Sequence, residues 1–482
     1  MTVQVPSTIA ALRAALARAG YEENGVKELV RKDGLDAVRG LAVLRLRREA
    51  QSPLGRLVRL FLAGEELGAT DVGAAITPVS LEALETEGLL ERTLSGVRAC
   101  VRLDAVRGML IASDQRRSKQ NSLDCVVYPG PGSFTLASLT VRSPVAAALD
   151  LCCGSGIQTL LAARHARRVV GCDLNSRALR LAELSAGLSA VENVEWRRGD
   201  LFEPVAGEQF DLVVANPPFV ISPARQLTFR DSGRRGDELS REVLIGTAAR
   251  LNEGGYGHVL CSWVRAAGEH FLDTPQRWLA SSGCDVLVLH LDTESSATYA
   301  IRWTDAEAGT LDEAVVTAAA WVDHYETLGI EAIATGIVVM RRRAGSNWTH
   351  GEELVSAGDD AGWHVRLVFE GHDALERVAS EQALLDSRLS FPPGVKLVQR
   401  IQSSGQIERA RLSAHGGVQL PATISPNAAA SALAALEQHT LSEAAAVAGV
   451  ARNDIEAALP SIRELVRRGY LLVNDLGEGL RQ

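Results

Sequence analysis

The sequence predicts an α/β fold with a Rossmann-like, mostly parallel sheet of seven strands at its centre. Apolar runs of strand length lie at 145–149, 169–172 and 210–215, and such runs are typical of strands buried on both faces. A glycine-rich loop, Asp150-Leu-Cys-Cys-Gly-Ser-Gly156, follows the first run, and Asn216-Pro-Pro-Phe219 follows the third. Because ligands of open α/β folds bind at the carboxyl ends of the strands, both motifs are predicted to lie at one edge of the sheet.

The rest of the predicted sheet follows the second motif. Its last three strands are expected at 256–261, 285–290 and 333–340. The segment 292–329, between the last two of these strands, carries Trp303, Trp321 and Tyr325. A segment in this position can form the rim of a substrate site, whereas aromatic residues at helical spacing more often belong to a core. Both interpretations stay open.

The N-terminal part, residues 1–115, is predicted to be a helical, winged-helix-like module. Helical patterns lie at 9–19, 26–30, 57–62 and 81–89, and strand-like runs follow at 97–103 and 106–112. Winged helices often bind DNA, but the last of these helices carries Glu82, Glu85 and Glu87 where phosphate binding requires Lys or Arg. A polypeptide partner, or packing against the catalytic core, fits this charge better.

The C-terminal part, residues 346–482, is predicted to contain a β-rich segment over 346–420 and then a second winged-helix-like module. Helical patterns at 428–437, 441–448 and 455–468 precede a strand at 470–473. Pro460 within the third pattern predicts a kink or a late helix start. The remaining residues, 116–345, form the predicted catalytic domain.

Length and composition set the limits of these predictions. A chain of 482 residues is too long for one such domain. The sequence shows no transmembrane-length apolar run and no signal peptide, so a cytoplasmic location is expected. Seven cysteines without Cys-x-x-Cys spacing predict neither a disulfide framework nor a metal site. The formal net charge of −9 makes DNA an improbable partner.

The glycine-rich loop predicts a cofactor site for S-adenosylmethionine. Gly154 and Gly156 would allow close backbone approach. Asp173 ends the next strand, at the spacing expected for a carboxylate that accepts the ribose hydroxyls, and Asp200 should face the adenine amino group. The residues predicted to form this site together are Asp150, Cys152, Gly154, Gly156, Asp173, Leu174, Asp200, Leu201 and Asn216. As alternatives, the glycine-rich loop could belong to a dehydrogenase, and each aspartate taken alone could be a helix N-cap or a turn residue.

The second motif predicts how a methyl acceptor is held. A planar amide or amine is a weak nucleophile because its lone pair is delocalised, so its two hydrogens must be held by acceptors. The Asn216 side-chain oxygen and the Pro217 carbonyl would supply them, and the two prolines offer no competing N–H. Phe219 can lie against the plane of the substrate. As an alternative, Asn-Pro-Pro is an ordinary strand-ending turn.

Residues 120–345 resemble a class I S-adenosylmethionine-dependent methyltransferase. The Asn-Pro-Pro-aromatic ending is similar to that of the release-factor and ribosomal-protein glutamine N5-methyltransferases, and ribosomal-RNA guanine-N2 and adenine-N6 methylases share it. The segment 128–135 is similar to one that closes over the cofactor in the glutamine enzymes, which implies roles for Phe134 and Thr135. Residues 233–239 resemble their glycine-rich loop after the motif. Cys152 stands where the family usually has glycine, and Phe219 where the glutamine enzymes more often have tyrosine.

Three functions remain open at this point. The preferred one is N-methylation of a side-chain amide in a protein or peptide. RNA nucleobase methylation is the first alternative, although the acidic charge disfavours it. A tailoring enzyme that O-methylates a peptide carboxylate or other small-molecule group is a variant of the preferred function. A binding protein with an inactive core is the third, and the intact set of Asp150, Asp173, Asp200 and Asn216 disfavours it.

Overall fold

The fold is taken from a computed structural model of the chain. It describes residues 7–30, 48–115, 124–223, 230–231, 233–266, 268–305, 310–378, 380–401, 407–420, 423–424, 427–436 and 439–474. The chain forms two compact units. The first contains residues 1–134, 144–269 and 294–333, and the second contains 135–143, 270–293 and 334–482.

The helices are numbered here in chain order. They are α1 Ser7–Arg18, α2 Glu23–Val30, α3 Pro53–Leu57, α4 Ala69–Ile76, α5 Leu81–Thr86, α6 Pro131–Leu139, α7 Ile157–Ala162, α8 Ser176–Leu188, α9 Glu238–Arg250, α10 Asp273–Leu279, α11 Ser296–Asp305, α12 Leu311–Leu328, α13 Gly362–Arg377, α14 Glu381–Leu385, α15 Asn427–Ala434, α16 Leu441–Val447 and α17 Arg452–Arg467. Short 3₁₀ turns occur at Arg48–Gln51 and Glu203–Val205, and a π-helical turn at Val58–Leu62. Among the described residues, no helix combines the length and the apolar character needed to cross a bilayer.

The strands are numbered in the same way. They are β1 Leu90–Arg92, β2 Val97–Ala99, β3 Val101–Val106, β4 Met109–Asp114, β5 Val145–Leu151, β6 Ala166–Asp173, β7 Val194–Arg198, β8 Phe210–Ala215, β9 Leu251–Arg265, β10 Cys284–Ser295, β11 Ala332–Arg342, β12 Thr349–Glu353, β13 Ser356–Ala357, β14 Leu389–Ser390, β15 Val395–Ile401, β16 Ile407–Ala414, β17 Val418–Gln419, β18 Thr423–Ile424 and β19 Leu472–Val473.

The first unit contains a parallel part of the predicted sheet, made of five strands. Its strands lie in the order β9–β8–β5–β6–β7, and each neighbouring pair is parallel. Leu149 on β5 is opposite Val170 on β6 and Val213 on β8, and all three side chains are fully buried. The apolar runs at 169–172 and 210–215 are therefore largely buried, as the sequence predicts, and the run at 145–149 is buried only from Ala148 onward. The mixed α/β class with a mostly parallel sheet is confirmed.

The N-terminal part of the first unit has helices followed by strands, as predicted, but the predicted strand at 97–103 is divided into β2 and β3, and β1 was not predicted. Helices α4 and α5 precede the antiparallel hairpin β1–β2, and β3–β4 form a second hairpin. The sequence predicted a continuous strand from Val106 onward, but Arg107 and Gly108 form the turn, with φ of 49° and 70°. Two successive left-handed residues are what a tight two-residue hairpin requires.

The second unit contains a helix that the sequence analysis did not predict. Residues 346–420 include strands, as expected, but also the 16-residue helix α13. Its buried Val365, Val368 and Phe369 have helical spacing. In the same unit β12 pairs in parallel with β10. Helix α17 begins at Arg452 and continues through Pro460, so the predicted late start is wrong.

Candidate active site

A cleft of about 1240 Å³ lies at the carboxyl ends of β5, β6 and β8, within the first unit. Ten of the predicted site residues line it: Asp150, Cys152, Gly154, Asp173, Leu174, Asp200, Leu201, Asn216, Pro217 and Phe219. Gly156 and Phe134 do not line it, although Phe134 packs against the lining residue Tyr128 at 5.9 Å between ring centroids. Thr135 belongs to the second unit. The topology thus brings together residues that are up to 69 positions apart, from Asp150 to Phe219.

Asp150 organises the glycine-rich loop. Its Oδ2 accepts hydrogen bonds from the Thr159 backbone N–H at 2.7 Å and from the Thr159 hydroxyl at 2.5 Å. Thr159 is the third residue of α7, so the carboxylate caps this helix from the neighbouring strand. Burial raises the pKa of Asp150 to about 7, against the lowering effect of the Thr159 hydrogen bonds. Asp150 therefore satisfies a backbone donor in the first turn of α7, although the N-cap residue of this helix is Gly156.

The backbone of the glycine-rich loop is left-handed at three positions. Cys152, Gly154 and Gly156 have φ of 58°, 54° and 87°. A Cβ on Gly156 would lie 3.1 Å from the Ala182 Cβ, so this glycine allows close packing. A Cβ on Gly154 would meet no atom within 4 Å. Cys152 adopts a conformation that costs an L-residue about 1–2 kcal/mol, which explains why glycine is expected there.

Asp173 connects the loops that follow β5 and β6. Its Oδ2 accepts the Gly154 N–H and its Oδ1 accepts the Asn175 N–H, each at 2.8 Å. Burial raises the pKa of this carboxyl, and the backbone donors oppose the rise. Both oxygens therefore hold the loop in place, and the Leu174 N–H also acts on this carboxylate.

Asp200 and Leu201 form the third part of the cleft edge. The Asp200 side chain is about half exposed and lies 3.5 Å from the Arg234 guanidinium. Leu201 is 8 % exposed and has φ of 44°. A branched side chain in the left-handed region is strained, and such residues are concentrated at functional sites.

The amide of Asn216 is held at one end by Ser133. Its Nδ2 donates to the Ser133 hydroxyl at 2.9 Å. The Ser133 carbonyl in turn accepts from the Gln158 side chain at 2.7 Å. Among the described residues the Asn216 Oδ1 accepts no hydrogen bond, so it can accept one from a ligand. The Pro217 carbonyl already accepts the Phe219 N–H at 2.7 Å, in a tight turn, and has one lone pair left.

Sequence reasoning did not identify several lining residues, namely Ser133, Gln158, Arg230, Asp231 and His324. Arg230 and Asp231 form a buried, two-point ion pair, at 2.6 and 3.0 Å. Of the aromatic residues left open, Trp303 lines the cleft, 6.4 Å from Phe219 between ring centroids, whereas Trp321 and Tyr325 are in the core. Of these lining residues, the sequence indicated only Trp303, as one of two open interpretations. The other residues reach the cleft through tertiary contacts that the sequence does not show.

Four cysteines also line the cleft, namely Cys125, Cys152, Cys153 and Cys172. All seven cysteines of the chain are free thiols. Burial raises the pKa of the Cys152 and Cys153 thiols well above their ordinary value and that of Cys172 to about 12.

The lining fits a nucleoside-bearing cofactor. The open space at Gly154 leaves room for a ligand close to the backbone. Asp173 and Asp200 supply carboxylate acceptors for hydroxyl and amino donors. The cleft exceeds the usual volume of about 300–1,000 Å³ for one small ligand, which leaves space for part of a second molecule.

Two family profiles match parts of this chain. The profile of the methyltransferase small domain matches residues 130–233. A domain of unknown function matches residues 18–100.

Curated relatives match the same central region. The release factor glutamine methyltransferase of Xylella fastidiosa is 32 % identical, over 24 % of this chain and 47 % of the relative. A candidate protein N5-glutamine methyltransferase of Methanocaldococcus jannaschii is 30 % identical, over 28 % of this chain and 72 % of the relative. The ribosomal RNA small subunit methyltransferase C of Alcanivorax borkumensis is 29 % identical, over 22 % and 29 %. The chain thus spans about half the length of the first of these relatives.

Proposed function

Because the chain belongs to the methyltransferase small-domain family, which uses S-adenosylmethionine, we propose that it N-methylates a side-chain amide of a protein or peptide. When bound, this cofactor supplies an electrophilic methyl group on a sulfonium. The residues of this chain would bind the cofactor, orient the acceptor nitrogen and exclude water.

The observation that carries the proposal is the orientation of Asn216. Ser133 engages the Nδ2 of this amide, so the Oδ1 is the atom offered to a substrate. The Oδ1 and the remaining lone pair of the Pro217 carbonyl would accept the two hydrogens of a substrate NH₂ group. With both hydrogens held by acceptors, the lone pair of the nitrogen would be oriented toward the methyl group of the cofactor. A hydroxyl or carboxylate oxygen has no need of such a pair, which favours a nitrogen acceptor.

We assign the cofactor side of the cleft to the three aspartate loops. Asp173 would accept the ribose hydroxyls, Asp200 would face the adenine amino group, and the open backbone at Gly154 would face the ligand. Asp150 would act indirectly, by holding α7 and the loop through Thr159.

We further propose that the terminal modules are winged-helix-like and recruit a polypeptide. The helix pair α4–α5 followed by the hairpin β1–β2, and the helix pair α16–α17 followed by β19, have that element order. The net charge of −9 disfavours RNA as the main partner.

A labelling experiment tests the acceptor class. Cell extract is incubated with the protein and S-adenosylmethionine labelled in the methyl group, and is then digested with protease or nuclease. Loss of macromolecular label with protease, and N-methylglutamine or N-methylasparagine in the hydrolysate, is expected. Label that is lost with nuclease alone would show that the acceptor is RNA and not a polypeptide. Label on a carboxylate would identify an O-methyltransferase.

Asn216 variants test the holding of the acceptor. Asn216→Ala should lower turnover by about two orders of magnitude and leave cofactor affinity nearly unchanged, because the lost acceptor acts on the reacting complex. Asn216→Asp keeps an acceptor oxygen and should retain partial activity. Asn193→Ala is the control, since Asn193 donates to two backbone carbonyls outside the cleft. Wild-type turnover in both Asn216 variants would contradict the assigned role.

A further inference from the structure

The backbone that follows the Asn216–Phe219 motif is held by two helices. Val220 and Ile221 are 3 % and 2 % exposed and pack in a core with side chains of α11 and α12. The Tyr325 hydroxyl, on α12, donates to the Ile221 carbonyl at 2.5 Å. The Ile221 N–H donates to the Tyr299 hydroxyl, on α11, over a longer 3.4 Å. Two tyrosines therefore hold the N–H and the carbonyl of one residue.

Each tyrosine connects this residue to the rest of the first unit. Tyr299 is hydrogen-bonded to the side chain of Ser262 on β9, a strand of the parallel sheet. The rings of Tyr299 and Tyr325 lie 6.3 Å apart, nearly perpendicular. Both side chains are at most 1 % exposed. Their positions are consequently set by packing, which makes them a rigid support.

A second contact holds the same segment on its other side. The Val220 N–H donates to the Arg230 carbonyl at 3.2 Å. The Arg230 side chain pairs with Asp231 and donates to the Trp303 carbonyl at 3.1 Å. Its guanidinium also lies over the Trp321 ring, 5.3 Å from the centroid. Val220 is thus connected to both helices through Arg230.

The motif depends on these contacts because it offers few hydrogen bonds of its own. Pro217 and Pro218 have no N–H, and the turn contains one internal bond, from Phe219 to Pro217. Its orientation is therefore set at its two ends, by Ser133 at Asn216 and by the tyrosines at Ile221.

We propose that Tyr325 is a positioning residue for methyl transfer, which fixes the Asn216–Phe219 turn through the Ile221 carbonyl. The assignment rests on the proposed function of Asn216 and Pro217. Tyr325 touches no substrate; it acts by keeping the two acceptor oxygens in register with the cofactor side of the cleft. Misplacement of reacting groups by a fraction of an ångström lowers turnover more than binding.

The test compares Tyr325→Phe with Tyr21→Phe. The Tyr21 hydroxyl also donates to a buried backbone carbonyl, that of Leu103 at 2.7 Å, in the N-terminal core of the same unit. Both variants keep the ring and lose one hydrogen bond of the same kind, so they should lose similar stability. Only Tyr325→Phe should raise amide hydrogen exchange at 219–221. It should also lower kcat for the polypeptide acceptor found in the labelling experiment by about tenfold, with KM for that acceptor and cofactor affinity within a factor of three of wild type.

Each outcome decides the assignment. Equal kcat and equal exchange at 219–221 in the two variants would leave Tyr325 a core residue and overturn it. A lower kcat in Tyr325→Phe without faster exchange would also overturn it, since the turn would not have moved. If the wild-type protein methylates no polypeptide, the proposed function fails, and the exchange comparison alone still shows whether Tyr325 holds the turn.

Discussion

Replacement of Asp173 by asparagine is expected to weaken both cofactor binding and the glycine-rich loop. The carboxylate accepts two backbone N–H groups, one per oxygen, from Gly154 and Asn175. Asparagine has one acceptor oxygen, so one of these N–H groups would face an NH₂ group and lose its partner. The same replacement removes one of the two oxygens assigned to the ribose hydroxyls.

The magnitudes follow from these contacts. A hydrogen bond to a charged group contributes about 1.5–3 kcal/mol. For folding, this loss is partly offset, because burial raises the pKa of Asp173 and a neutral side chain avoids that penalty. We expect the free energy of unfolding to fall by about 1–2 kcal/mol. For cofactor binding, a lost charge-assisted bond of about 1.5–3 kcal/mol corresponds to a Kd about 10- to 150-fold higher.

The assay is calorimetric titration with S-adenosylmethionine, alongside urea denaturation. Asp211→Asn is the control: its Oδ2 accepts the N–H groups of Ala146 and Ala147 at 2.9 and 3.0 Å, its Oδ1 accepts the Asn252 side-chain amide at 2.8 Å, and it does not line the cleft. The control should lose stability and keep cofactor affinity. An unchanged Kd in folded Asp173→Asn would refute the ribose assignment.

Two further predictions concern the glycine-rich loop. Cys152→Gly should raise the free energy of unfolding by up to about 1 kcal/mol, because relief of left-handed strain exceeds the entropic cost of glycine; Cys153→Gly, which relieves no such strain, should lower it in the same urea titration. The pKa of Asp150 is about 7 in the folded protein, against an ordinary value of 3.8. The contribution of this carboxyl to the free energy of unfolding is therefore fully present below about pH 4. It is lost as the pH rises to about 7, at up to about 1.4 kcal/mol per pH unit. Asp150→Asn should therefore flatten the stability profile between pH 4 and 7, and an unchanged slope would argue that Asp150 ionises normally.

Much of the catalytic core could be predicted from the sequence because its signals are local. The strands before Asp150, Asp173 and Asn216 are continuous apolar runs, and the parallel order brings their carboxyl ends together. The assignment of individual side chains to cofactor or acceptor stays a prediction. The turn at Arg107 and Gly108 was not predicted because two-residue hairpin turns usually have Asn or Asp before the glycine, and this one has Arg.

The acceptor side of the site was harder to predict. Ser133 and Asn216 are 83 positions apart, and Ile221 and Tyr325 are 104 apart. A hydrogen bond over such a distance leaves no periodic trace in the sequence. The segment 292–329 could be read as core or as rim, and it is both: Tyr325 is in the core and Trp303 lines the cleft.

The thiols in the cleft have a consequence for chemical selectivity. A thiolate is a strong nucleophile, so Cys152, Cys153 and Cys172 would compete with the substrate for any electrophile bound among them. Burial without a nearby cation keeps the first two protonated, and a pKa of about 12 does the same for Cys172. The protonated thiol is a poor nucleophile. Three of the four thiols that line the cleft are therefore kept in the form that reacts slowly with a bound alkylating agent.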